Sequence, residues 1–361
     1  PGEDLLNPLS KRPAHFFLAL TGLLMAGAGL GQADGPRYAG TRAQVIKQVP
    51  PKYPSGSKRR SQEGWVMLSF MIRKNGRVAD ALIEDSSGEP DFDKAALQAV
   101  KKWRYNPATL DGEPVAQRQT RLVLTFAMDL PRRGASLRFR EGYGRATEAL
   151  GNGAFENAQQ EWQSLADYDG WNLYEVARLW ALYGLIGEAS GDSVQALHGL
   201  ERATRGGVAY LEKDFYQAAL RKIFALKLQA EDHAGALVVY SRLQRQAGAL
   251  DNHPEIRKAA DALRQLIASD QVISVQGALT DVAGKPLWTR RLVRRQVALE
   301  AIRGKLDGVD FRCEWGRARY KPEENLTWTL PDEWGECDVY LTGRRGARFT
   351  LRQLPSAAPQ S

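Results

Sequence analysis

Residues 64–108 read GWVMLSFMIRKNGRVADALIEDSSGEPDFDKAALQAVKKWRYNPA, and this stretch decides the fold. Gly64–Ile72 is an apolar run of strand length, rich in β-branched and aromatic residues. Asn75-Gly76 follows it, the strongest short hairpin signal, because a tight hairpin needs residues that accept positive φ. Val78–Ser86 reads as the return strand, closed by Ser87-Gly88. From Asp91 the period becomes helical, with Phe92, Ala95, Ala96, Ala99, Val100 and Trp103 on one face and Asn106-Pro107 as the stop. Asp111-Gly112 marks a further turn. Val115–Met128 reads as a last strand with Leu122, Leu124 and Phe126 on one side. The order is strand, strand, helix, strand.

Several motifs lie along this unit: Tyr53-Pro54, Gly64-x-Val66, Asn75-Gly76-Arg77-Val78, Ser86-Ser87-Gly88, Phe92-Asp93-x-Ala95-Ala96, Lys102-Trp103-Arg104-Tyr105-x-Pro107-Ala108 and Gly112-x-Pro114-Val115. In that order they resemble the TonB C-terminal domain family, over residues 38–130 of this chain. The resemblance implies work in the bacterial periplasm. It also implies capture of an extended peptide, the TonB box of outer-membrane receptors, by addition to a sheet edge. The chemistry suits this sequence, because a final edge strand leaves a row of unpaired N–H and C=O groups that a guest strand completes. Gln117, Gln119, Arg121 and Val123 are the expected peptide-binding residues of that strand. Coverage of the edge by the chain's own next segment, or by a second copy in a homodimer, is the competing reading. Energy-transducing members place a membrane helix and a long Pro- and Lys-rich spacer before this domain, at the C-terminus. Here the domain comes first, and residues 34–49 extend at most about 60 Å.

Residues 136–268 change texture, with alanine and leucine at helical spacing. Gly153–Ala158, Gly191–Ala196 and Glu231–Ala236 align internally, each followed four positions on by a larger apolar residue: Trp162, Leu200 and Tyr240. A small residue facing a large one suits paired helices, and the pattern resembles tetratricopeptide-like helical repeats. His198 and His233 have no ligand cluster around them and read as surface or packing residues.

Residues 271–354 turn strand-rich, at Val272–Val275, Gln296–Leu299, Asp338–Leu341 and Arg348–Leu351. Turn signals stand at Ala283–Pro286, Asp307-Gly308 and Gly343–Gly346. Cys313 and Cys337 are the only cysteines, and an isolated pair in an exported chain reads as one disulfide. Trp288, Trp315, Trp328 and Trp334 read as buried. Arg290, Arg291, Arg294 and Arg295 read as a solvated basic face or a site for phosphate-bearing envelope polymers. The whole is an α+β chain: a TonB-like β-β-α-β domain, all-α helical-hairpin repeats, a small disulfide-linked β domain, and a disordered tail over residues 355–361.

Lys11-Arg12, an apolar run Phe16–Leu30 and Gly31-Gln32-Ala33 describe a signal peptide over residues 1–33, or an uncleaved N-terminal anchor. Hydrophobic residues at 43% and charged residues at 25% exclude wholesale disorder. The net charge of +8 is spread over two mildly basic blocks flanking a near-neutral one, which argues against nucleic acid. No GxSxG, HExxH, Walker or GxGxxG spacing occurs, so no catalytic residue, cofactor or metal is expected. The sequence therefore points to a periplasmic binding or adaptor protein with a protein or peptide partner. The alternative is an inner-membrane-anchored energy transducer. N-terminal sequencing of protein purified from its native envelope is expected to begin at Asp34, and an intact Phe16–Leu30 would assign the anchor instead.

Overall fold

The computed structural model describes residues 40–128 and 134–355; the side chains of Thr120, Arg121, Gly207 and Val208 are outside that description. The expected leader at 1–33 and the tail after Pro355 lie outside the described residues.

The first module begins with β1 (Gly40–Thr41), β2 (Gln44–Lys47) and α1 (Ser55–Arg59). Then come β3 (Gly64–Ile72), β4 (Val78–Ser86) and α2 (Pro90–Val100), followed by β5 (Arg104–Asn106), β6 (Ala108–Leu110), β7 (Glu113–Val115) and β8 (Gln117–Phe126). The central sheet has the order β4-β3-β8, all antiparallel. α2 starts where Glu89 caps the Asp91 N–H and Pro90 supplies a preset φ. It lays Phe92, Ala96 and Val100 on Val66, Leu68, Phe70 and Ile72.

Two expectations change here. The helix stops at Val100 rather than at Asn106-Pro107. The Trp103 indole N–H reaches the Val49 carbonyl at 2.8 Å, and β5 leaves to pair with β2, so tertiary pairing overrides the helical period. The expected strand Val115–Met128 is two strands: β7 turns at Asp111-Gly112 to pair with β6 beside β1, and only β8 joins β3.

The second module is helical: α3 (Leu137–Gly151), α4 (Phe155–Ala166), α5 (Leu173–Ser190), α6 (Ser193–Ala203), α7 (Lys213–Gln229), α8 (His233–Gln244) and α9 (Pro254–Ala268). α3 packs on α4, α5 on α6 and α7 on α8. Ala158, Ala196 and Ala236 are buried in the second helix of each pair, and Trp162, Leu200 and Tyr240 with them. Gly184 and Gly199 face each other between α5 and α6, where an added Cβ on Gly199 would stand 2.3 Å from the Gly184 nitrogen.

The third module is a β-sandwich. Its strands are β9 (Ile273–Ala278), β10 (Thr280–Val282), β11 (Lys285–Arg291), β12 (Gln296–Arg303), β13 (Leu306–Cys313), β14 (Arg317–Tyr320), β15 (Thr327–Thr329), β16 (Cys337–Gly343) and β17 (Arg348–Leu354). One sheet runs β10-β11-β16-β13-β14 and the other β15-β12-β17-β9. Val309, Phe311, Val339 and Leu341 of the first meet Val297, Leu299, Phe349 and Leu351 of the second. Ala283 and Gly284, both at positive φ, turn β10 into β11. Asp307-Gly308 is not a turn. It lies inside β13, where the register with β16 shifts and one residue bulges. Cys313 and Cys337 stand directly opposite on β13 and β16 and are joined by a disulfide.

The three modules pack on one another. Trp65 and Met67 of β3 pack on Leu173 and Tyr210 of the helical module. Arg202 and Arg205 both bond Asp85, at 2.6 and 3.2 Å. The sandwich brings Tyr340, whose hydroxyl lies 2.8 Å from Glu84 and 3.2 Å from Ser69. Between helices and sandwich, Asp232 takes Lys227 at 2.7 Å and Arg290 at 3.0 Å. The Cys313–Cys337 bond closes a span of 24 residues, so replacing both cysteines by serine is expected to cost about 3 kcal/mol. Chemical denaturation of the two forms measures it; equal midpoints would remove the disulfide from the stabilising interactions.

Candidate functional site

The sheet β4-β3-β8 leaves β8 at an edge, so the geometry of that strand governs what can bind there. β8 pairs with β3 from Gly64 opposite Phe126 to Ile72 opposite Gln117. Between the pairs Leu68–Leu122 and Phe70–Gln119, β3 spends only Ser69 while β8 spends Thr120 and Arg121. That extra residue is a β-bulge, and it reverses the alternation of side chains along the strand. Directly opposite residues of an antiparallel pair share a face. Gln117 and Gln119 therefore lie on the α2 side with Leu122 and Leu124, not away from the core as simple alternation predicts. Gln117 is buried, and its Oε1 accepts the Ala43 N–H at 2.9 Å, so it ties down the strand's beginning instead of facing a guest. Val123 is opposite Met67 on the second face and is 37% exposed, with Thr125 exposed next along that face. The Arg121 side chain lies outside the described residues.

Among the described residues, no strand other than β3 pairs with β8. The two ends of its outer edge are fixed. At the start, Arg118 reaches Asp338 at 2.8 Å and the Arg312 carbonyl at 3.2 Å. Past its end, the Met128 N–H donates to Glu63 Oε1 at 2.8 Å. The other oxygen of Glu63 accepts the Leu173 N–H, at the first turn of α5, at 2.9 Å. A carboxylate at a helix N-terminus also meets the positive end of the helix dipole. Gln119–Phe126 is thus an open window between two clamped ends, a surface whose chemistry is backbone N–H and C=O.

Neither reading of the Arg290–Arg295 group holds. Arg290 pairs with Asp232, Arg291 with Asp338 and Glu336, and Arg295 bonds the Gly335 carbonyl. Arg294 is buried and donates to the carbonyls of Leu266, Ile267 and Ser269 at 2.9, 3.1 and 2.7 Å, closing the C-terminus of α9. Sequence proximity made a basic face of groups that each have an internal partner. Trp328 is buried, and Trp288, Trp315 and Trp334 are partly buried. His198 packs edge-on against the Trp180 ring at 5.5 Å, and burial holds its pKa below the usual histidine value.

Residues 49–127, which contain this strand–strand–helix–strand unit, match the family described as Gram-negative bacterial TonB protein C-terminal. Protein TonB of Xanthomonas campestris pv. campestris is 38% identical over 80 residues, which are 22% of this chain and 35% of that protein. Protein TonB of Vibrio cholerae is 36% identical over 91 residues, 25% of this chain and 37% of that protein. The chain thus spans about a third of the length of the relatives it matches. The solution NMR structure of the Pseudomonas aeruginosa TonB CTD is 29% identical, covers 26% of this chain and 92% of that one, and has a TM-score of 0.23. Among the described residues no helix is long and apolar enough to cross a membrane.

At the opposite edge of the sheet, on β4, the domain is held to the sandwich by Asp80, which takes Arg319 at 2.7 Å and also bonds Arg317. Burial raises the Asp80 carboxyl, but the hydrogen bonds from Arg317 and Arg319 outweigh it and hold the group below its ordinary 3.8. A depressed carboxyl contributes stability that is complete above the unfolded value and is lost as pH falls through the folded one. Asp80→Asn keeps a residue that tolerates the left-handed backbone at φ 51°. It is expected to cost about 1 kcal/mol at pH 7, with the difference from the parent shrinking below about pH 4. Thermal unfolding across pH 7 to 2 checks this, and a pH-independent difference would take Asp80 out of the acid response.

Proposed function

We propose that the chain is an exported periplasmic binding protein that captures an extended peptide of an envelope or outer-membrane partner by strand addition to β8. The open window from Gln119 to Phe126 carries this reading: α2 covers one face of the sheet, the helical module packs on Trp65 and Met67 of the other, and among the described residues no strand pairs with the outer edge of β8. A guest strand pairs there through main-chain hydrogen bonds, flanked by Gln119, Arg121 and Val123, while Gln117 anchors the strand from within. The resemblance makes the TonB box of an outer-membrane receptor the first peptide to test. The helical hairpins act as a tetratricopeptide-like scaffold, with Ala158, Ala196 and Ala236 at equivalent places, and hold the TonB-like domain in one orientation. The relatives' name, Protein TonB, favours a second reading, an energy transducer anchored by Phe16–Leu30 in the inner membrane. Retention of that segment in the mature protein separates the two.

The test uses the full chain, because the isolated domain would expose Trp65, Met67 and Met71. Peptides from the N-terminal segments of candidate outer-membrane receptors are titrated by calorimetry. Proline is placed in separate variants at Gln119 and Arg121, beside the bulge where the ladder with β3 is already interrupted. Proline removes a donor and fixes φ, so at least one folded variant is expected to bind about tenfold more weakly, while Val123→Ala has a small effect. If no receptor peptide binds the parent, or both proline variants bind equally well, edge capture by β8 is wrong.

A further inference from the structure

The end of the TonB-like domain formed by β2, β5 and the hairpin between β3 and β4 carries cations without counterions. Lys47 on β2 is directly opposite Arg104 on β5, and Arg104 in turn bridges to Arg77 at the start of β4. The Arg73 N–H closes the same hairpin on the Arg77 carbonyl at 2.9 Å, with Lys74 between them. The Arg104 guanidinium folds back on the carbonyls of Lys101 and Trp103, bringing the pair Lys101-Lys102 alongside. Glycine makes the assembly close. Gly76 has φ 71°, and an added Cβ would stand 1.8 Å from the Tyr105 carbonyl oxygen, so the hairpin lies directly on β5.

Like charges facing each other across strands are unfavourable unless a carboxylate neutralises them, as Asp310 does where Arg312 faces Arg317 across β13 and β14. Arg118, Arg178, Arg202, Arg290, Arg312 and Arg317 each hold a carboxylate. Among the described residues none of the cations of this end forms an ion pair, and except for Arg104 all are exposed. Beside them, Val45 and Ile46 of β2 are 52% and 63% exposed, with Ile46 at an irregularity in the pairing of β2 with β5. Cations clustered around protruding aliphatic side chains match an anionic lipid surface, where headgroups neutralise the charge and the aliphatic groups enter the interface.

We propose that this end of the domain is a docking surface for an anionic phospholipid bilayer, contacted by Ile46 and Val45 and held by the surrounding lysines and arginines. The chain leading to it supports this occupant: residues 31–39 alone separate the apolar run Phe16–Leu30 from β1, a reach of about 30 Å. A bilayer that received or retained that run lies within reach of the patch. β8 and its edge take no part.

The probe is a set of vesicles of phosphatidylcholine alone or with a third phosphatidylglycerol, sedimented with the full chain at low and high salt. Because Phe16–Leu30 gives every form the same charge-independent background, the readout is the excess binding to anionic vesicles. That excess is expected to be about tenfold at low salt and to collapse at high salt. Lys101→Glu/Lys102→Glu is expected to abolish it, as is Arg73→Glu/Lys74→Glu, which changes only the hairpin. Ile46→Ser is expected to weaken it about fivefold. Arg344→Glu/Arg345→Glu, a reversal of equal size in the turn between β16 and β17, is expected to leave it intact. Circular dichroism checks that each variant folds. Equal binding to both vesicles, or equal losses from the patch and the distant reversal, would overturn the proposal. So would saturable binding of a polyglutamate peptide with no excess on anionic vesicles, which would assign the patch to an acidic protein instead.

Discussion

Every one of the nine residues of β3 is buried, and that single constraint organises the molecule. A strand buried on both faces needs two covers. α2 supplies the first, over Val66, Leu68, Phe70 and Ile72. The second face presents Trp65, Met67, Ser69 and Met71, and no element of the TonB-like domain covers it; the helices bring Leu173 and Tyr210, and the sandwich brings Tyr340. Burying a side chain of this size contributes about 2 kcal/mol, whereas an exposed ion pair contributes about 0 to 1. Apolar cover therefore holds the modules together. The ion pairs at Asp80, Asp85 and Asp232 set how they are turned. Burial, with Glu84 beside it, pushes the Tyr340 hydroxyl well above its ordinary pKa, so it stays neutral and donates to Glu84.

The hairpin, the helix and their order are legible from local chemistry: an apolar run, Asn-Gly, a second run, then a 3.6-residue period. The double burial of β3 was written in the same run, because GWVMLSFMI does not alternate polar and apolar residues as a strand with one wet face does. What local chemistry does not carry is register. Nothing in Gln-Arg-Gln-Thr-Arg marks the bulge at Thr120 and Arg121, yet one additional residue moves Gln117 and Gln119 to the other side of the sheet. Asp307-Gly308 fails for a related reason, since the same dipeptide serves a turn or a bulge according to the partner strand. The reading of Arg290, Arg291 and Arg294 fails because their partners, Asp232, Asp338 and the end of α9, are distant in sequence. The three equivalent alanines are legible, because helix pairing is a local event with a local spacing.

The distances along the chain have a consequence for synthesis. α2 follows β3 within a few dozen residues, so the first face of the strand closes almost as soon as the chain emerges. Its other cover comes much later: Leu173 is 110 residues beyond Glu63, and Tyr340 is 271 beyond Ser69. In a chain delivered N-terminus first, Trp65 and Met67 lack their cover until the helices follow, and Ser69 lacks Tyr340 until the sandwich does. Contacts of such long sequence separation form late, after their loop-closure entropy has been met. The period between is one in which the exposed apolar face is prone to aggregation. The order of assembly, and not only its end state, is thus written into the two faces of one strand.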